Sequence, residues 1–226
     1  VKLRLTPRQK LKRVVKMVQT ENLPTLFEER IASGFRFGDF QFAIDDQSED
    51  FMRRAVFSCY EPAPPETPMA EDIRKLRPED WFQLVKLAHT DKTAGFERYA
   101  AHYAQTDGQH YWSDAHQFTT YLDNYHRRLD WELKSPCKGS EMITELYVPR
   151  SELVNFLEVI RKDLREGRAS VIYGTVRLIE RDTESFLAWA RESWACVVLN
   201  LCVRHRPVEL HRSAATFRLL IDRAIQ

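Results

Sequence analysis

Glycine is scarce, with 7 in 226 residues. A phosphate-cradling loop needs glycines close together, so that backbone N–H groups can approach the anion. Neither G-x-G-x-x-G nor G-x-x-x-x-G-K-[ST] occurs, and no such loop is expected in this chain. Cysteine is equally thin: Cys59, Cys137, Cys196 and Cys202 are scattered, with no C-x-x-C pair. That argues against a disulfide scaffold or a zinc site and for reduced, mostly buried thiols in a cytoplasmic protein. Long apolar runs are missing too. The stretch 195–199 is typical, far below the roughly 20 residues of a membrane-spanning helix. Nor is there an excess of charge: Lys+Arg 34 against Asp+Glu 33 leaves +1. No global basic field for nucleic acid and no acidic tail follow from that balance. The basic runs 10–13 and 204–206 lack interleaved aromatics, so nucleic acid is not an expected partner, and the short apolar runs leave no membrane span expected. G-x-S-x-G is absent, which removes the common hydrolase reading. No charged-then-apolar leader opens the chain.

What is present is a globular composition: 43% apolar, 30% charged and 12% aromatic. The length suits one large domain or two small ones. Two similar blocks flank a different middle. The first, 1–60, reads as a strand near 14–18, an amphipathic helix at 22–33 ended by Gly34, a strand at 35–44, an acidic turn at 45–50 and a strand at 51–60. The second, 139–226, reads as a strand at 141–148 and then a helix at 151–166. Leu153, Phe156, Leu157, Ile160 and Leu164 share one face of that helix, and Gly167 follows it. A strand at 170–180, a short helix around 184–190, a strand at 194–203 and a final helix from 207 complete it. In that last helix Leu210, Ala214, Phe217, Leu220 and Ile221 lie along one side. Each block is strand–helix–strand–strand. Such units pair into an antiparallel sheet with helices on one face, an α+β fold. Between them, 61–77 is a Pro-rich linker and 78–138 an inserted helical region. In the insert, Trp81, Leu84, Val85 and Ala88, then Phe96, Tyr99 and Tyr103, recur at helical spacing. The whole, 1–226, reads as a single domain. Its first residues already read as a strand and its last helix carries no cap, so both ends are expected to be cuts through a longer polypeptide.

Alternation along three strands singles out one face of the sheet. Tyr173, Thr175 and Arg177 oppose Ile172, Gly174, Val176 and Leu178. Trp194, Cys196, Val198 and Asn200 oppose Ala195, Val197, Leu199 and Leu201. Phe37, Asp39 and Gln41 oppose Phe40, Phe42 and Ile44. An aromatic-rich face with convergent polar groups suits a ligand surface or a domain interface, although antiparallel sheets also leave polar faces in water. His102, His110, His116 and His126 lie in the insert at spacings that match no zinc motif, so no metal is expected.

Residues 139–150, Gly-Ser-Glu-Met-Ile-Thr-Glu-Leu-Tyr-Val-Pro-Arg, precede an amphipathic helix and then Tyr-Gly-Thr-Val-Arg-Leu-Ile at 173–179. This pattern resembles the substrate (cap) domain of FAD-linked oxidases of the vanillyl-alcohol oxidase superfamily, in the branch of sugar-lactone, alditol and glycolate-type oxidoreductases. Residues 1–15 look like the end of the flavin domain and 111–130 like the helical insert of the cap. The resemblance implies FAD, bound mainly by an N-terminal flavin domain of the same polypeptide that is expected to lie outside this chain. It implies oxidation of a hydroxyl-bearing carbon by hydride transfer to the flavin, with a small-molecule substrate and an isolated chain that is inactive. By the same resemblance, Arg177 and Tyr173 face the cofactor. Arg177, Thr175 and His205 are catalytic candidates, with His205 read equally as a surface histidine. Tyr173, Asn200, Asp39 and Gln41 are substrate-binding candidates. The family's Glu-x-Arg pair is here Thr175-x-Arg177, which leaves substrate class open. The alternative class is a non-catalytic small-molecule-binding or subunit-interaction module, whose polar face takes an effector or a second copy of the chain.

Overall fold

A computed structural model describes residues 7–35, 37–114, 122 and 124–226. His116, and parts of the stretches 1–15, 35–44 and 111–130 discussed above, lie outside the described residues.

The first block is β1 (Lys10–Gln19), α1 (Leu23–Ala32), β2 (Phe37–Phe42) and β3 (Arg54–Pro62). The insert holds α2 (Pro78–Thr90), α3 (Lys92–Ala104), a short β4 (His110–Trp112) and α4 (Tyr125–Glu132). The second block is β5 (Gly139–Pro149), α5 (Leu153–Glu166), β6 (Val171–Ile179) and β7 (Trp194–Arg204), and α6 (Pro207–Ile225) follows. In both blocks a single 3-10 turn, Thr20–Asn22 or Arg150–Glu152, leads from the first strand into the helix. The strands form one antiparallel sheet in the order β4-β1-β3-β2-β6-β7-β5. The blocks are thus mirrored, β1-β3-β2 against β6-β7-β5. They are joined at a seam where Phe40 pairs with Val176 and Gln41 with Thr175. The expected α+β fold is the one observed.

Helices α1, α5 and α6 cover one face. Leu153, Phe156, Leu157, Ile160 and Leu164 of α5 recur every three or four residues, so all five turn to the sheet and are buried. They meet Phe40, Phe42, Phe57, Val176, Val197 and Leu199, all buried alternate residues of the four central strands. Each such side chain contributes on the order of 2 kcal/mol by leaving water. Gly174 sits in this layer because the Phe42 ring packs directly against it: a Cβ there would be 2.1 Å from a ring carbon.

Helices α2 and α3 pack on the opposite face, where Leu84, Phe96, Tyr99 and Ala100 cover Ala43 and Val56. Three expectations change here. The insert at 78–138 is not helical throughout, because Gly108 adopts a left-handed φ of 77° and turns the chain into β4. The segment around 184–190 is not a helix. Asp182 takes the N–H groups of Glu184 (3.0 Å) and Ser185 (2.9 Å) in a turn that competes with helical bonding. A bulge between Val171 and Tyr173 reverses the alternation at the start of β6. Val171 pairs with Leu201 in the core layer, and Ile172 belongs to the same core cluster while also lining the cavity under the insert. Among the described residues no helix is long and apolar enough to cross a membrane.

Candidate functional site

The strand register lays the face under the insert out in rows. One row runs Met17, Val56, Gln41, Thr175, Val198 and Glu145 across six strands. One step further along the same register, Ser58 pairs with Asp39, Arg177 with Cys196, and Cys196 with Tyr147, bringing Asp39 and Arg177 side by side across the seam. On the other side of the Gln41 row, Tyr173 pairs with Asn200 and Asn200 with Ile143. The three strands read as carrying one polar face do carry one.

Asp39 is half-buried, and burial pushes its carboxyl up to about 6 against the pull of the Arg13 and Arg177 guanidiniums. Arg13 is held in place: it donates to the Tyr60 hydroxyl (2.9 Å) and to Thr106 Oγ1 (2.9 Å), and its guanidinium lies 4.5 Å from the Tyr111 ring centre. Arg177 differs, being exposed and, among the described residues, without a hydrogen bond or ion pair. Around Asp39 stand phenols. Tyr99 and Tyr103 stack with centroids 4.3 Å apart. Burial, aided by the Asp39 charge, raises Tyr103 to about 12 and Tyr173 well above its usual value, so both are hydroxyl donors at neutral pH. A carboxyl that titrates near neutrality beside an open guanidinium can accept a proton while a bound oxygen is held in place.

Further up the face, α2 and α3 leave a cavity of about 210 Å³ against the sheet. Trp81, Leu84, Phe96 and Tyr99 wall it, and Gln41, Tyr173, Asn200 and Glu141 supply the polar groups. Glu141 on β5 is the hub of a buried cluster. His89 Nε2 on α2 lies 3.1 Å from its Oε1, Asn200 Nδ2 donates to Oε2 at 2.9 Å, and the Tyr125 hydroxyl donates to Oε2 as well. His126 Nε2 is 3.7 Å from Oε1. Side-chain exposure is 4% for His89 and 9% for Glu141, so these two groups are shielded from water, while His126 at the margin is 23% exposed. Burial opposes ionisation of Glu141, but the hydrogen bonds of His89 and Tyr125 outweigh it and hold the carboxyl below its ordinary range. Burial keeps His126 below its usual value. Among the described residues no group of three or more His, Cys, Asp or Glu is arranged to hold a metal ion.

The sequence-derived residues divide into three places. Asp39 and Arg177 meet at the seam. Tyr173, Gln41 and Asn200 line the cavity, and Thr175 is fully buried between the two. His205 is apart from all of them. It is exposed just past β7, bonded to Ser140 Oγ at 2.5 Å. Cys196, beside Arg177, is eight residues from Arg204 along β7, about 26 Å at ~3.3 Å per residue. Sequence reasoning missed Glu141, His89, Tyr125 and Arg13. Glu141 was legible in principle, as it stands on the same side of its strand as Ile143 and Glu145. The helical partners carried no signal, because their meeting depends on how the insert docks.

No protein-family model matches the chain, and no curated protein matches it. Among solved structures, it is similar to a variant of berberine bridge enzyme (TM-score 0.38, 8% identity) and to berberine bridge enzyme from Eschscholzia californica (TM-score 0.38, 9% identity). In each case 96% of this chain is covered, and the chain spans 40% of the length of the structure it matches.

Proposed function

We propose that this chain is the substrate-side (cap) portion of a cytoplasmic FAD-dependent oxidoreductase that oxidises a hydroxyl-bearing carbon of a sugar lactone, alditol or hydroxy acid. The observation that carries this reading is the pair at the seam, Asp39 with its carboxyl near 6 beside the exposed Arg177. It stands on the face that the sequence resemblance assigns to the flavin. The residues fit that cofactor in one respect: the open guanidinium suits either a substrate oxygen or the anionic end of a reduced flavin. FAD, bound mainly by another domain of the same polypeptide, supplies the hydride acceptor. On this chain, Arg177 fixes the substrate oxygen and Asp39 takes the hydroxyl proton, its value lying close to the working pH. Tyr173, protonated, is a donor toward the same face. The row ends at Tyr147, against which Trp189 packs at 5.0 Å, next to the exposed Phe186 and Leu187. An apolar rim of that kind suits a face that a second domain covers.

The test uses the whole polypeptide that contains this chain. It is expected to carry a visible flavin spectrum, and Arg177→Ala and Asp39→Asn are each expected to slow flavin reduction by about 100-fold or more at unchanged FAD content. A polypeptide without flavin, or unaltered reduction in both variants, overturns the reading.

A further inference from the structure

We propose that the cavity between α2–α3 and the sheet is a binding site for a small aromatic molecule of one or two rings bearing a single hydroxyl or N–H donor. The inference rests on the cavity alone and stands whether or not the chain works with a flavin. Size comes first. An apolar cavity of about 150 Å³ takes up a benzene ring, and this one measures about 210 Å³. Its walls are Trp81, Phe96 and Tyr99 with Leu84, Val85 and Ala88, which reward an apolar, flat body.

The polar end decides the rest. Glu141 is held as a carboxylate and can only accept, so the Asn200 amide must present its NH₂ group there, at 2.9 Å. That fixes the orientation of the amide. Its oxygen is left buried and, among the described residues, without a partner, on a residue that lines the cavity. A buried acceptor with no donor is a standing cost that a ligand O–H or N–H removes. Tyr173 and Gln41 lie at the same wall to orient the donor. The Glu141 charge meanwhile disfavours any carboxylate ligand.

The probes are indole, its donor-free isostere benzofuran, and benzoate, titrated into the full 226-residue chain by calorimetry and ligand-observed NMR. Indole is expected to bind about tenfold more tightly than benzofuran, the effect of one hydrogen bond to a buried acceptor, and benzoate is expected not to bind. In Asn200→Leu the indole preference is expected to fall within about twofold while benzofuran binding persists. Val85→Phe fills the cavity and removes both ligands, and Val85→Leu, the milder filling, weakens both in a graded way. Equal affinity for indole and benzofuran in the wild-type chain, no binding of either at millimolar concentration, or a preference that survives Asn200→Leu overturns the proposal. None of the probes involves Arg177 or Asp39, so failure here leaves the oxidoreductase reading where it was.

Discussion

Asn200 on β7 and Glu141 on the edge strand β5 meet amide to carboxylate at 2.9 Å, and through Glu141 that contact reaches His89 on α2 and Tyr125 on α4. One buried carboxylate therefore ties the second block to both ends of the insert.

Replacing it should be costly at neutral pH. Glu141→Gln keeps the shape but turns an NH₂ group toward groups that need an acceptor, at an expected loss of about 2 kcal/mol. The native carboxyl sits below its ordinary value, so its contribution is fully present above the unfolded value of about 4.3 and fades as pH falls through the lower native one. Urea midpoints of wild type and variant should differ clearly at pH 7 and converge below about pH 3. A gap that persists in acid would mean that the loss does not come from the carboxylate charge.

Asp39 has the opposite sign. Its native value of about 6 lies above the unfolded one, so the folded chain binds the extra proton between about pH 4 and 6 and loses stability as pH rises through that window. Asp39→Asn is expected to stabilise the chain at pH 7.5 by on the order of 2 kcal/mol, with no gain at pH 3.5. Thermal melts at the two pH values decide it; a variant less stable at both would show that the carboxylate supports the fold.

Arg177→Ala should leave stability within about 0.5 kcal/mol of wild type, since the side chain is exposed and has no hydrogen-bond or ion-pair partner among the described residues. A larger drop in the melting midpoint would assign it a structural role.

Gly174→Ala should destabilise by about 2 kcal/mol or more, because the new Cβ falls 2.1 Å from the Phe42 ring. Shortening that ring in the Phe42→Leu, Gly174→Ala double variant should recover part of the loss. Additive losses would refute the clash.

The six long strands and α5 were legible because their apolar residues repeat at two and at three or four, as in Phe40/Phe42 and Leu153/Leu157/Ile160, whereas β4 was not, and of the side expected for α6 only Phe217 and Leu220 meet the core while Leu210, Ala214 and Ile221 are exposed. Their ends were set by chemistry that periodicity does not carry: Gly108 opening a turn, Asp182 capturing two N–H groups, one bulge residue at the start of β6. The polar face was legible for the same reason as the strands. Its division into an open pair at the seam and a closed cavity was not, because both helices that roof the cavity come from the insert, and nothing in their sequence says which side of the sheet they take. His205 shows the converse limit, since its place in the chain next to β7 says nothing of its distance in space from Arg177.

The seam has a consequence for how the molecule opens. Each half is laced by long pairings, β1 with β3 and β5 with β7, whereas among the described residues the strand ladder between the halves has only the pairs Phe40–Val176 and Gln41–Thr175. Amide exchange that proceeds by partial opening should therefore cross the sheet at β2 and β6 before either half unravels. Asp39 and Arg177 stand on opposite banks of that line, so a hydroxyl that donates to the one and accepts from the other binds the two banks together and slows exchange along it.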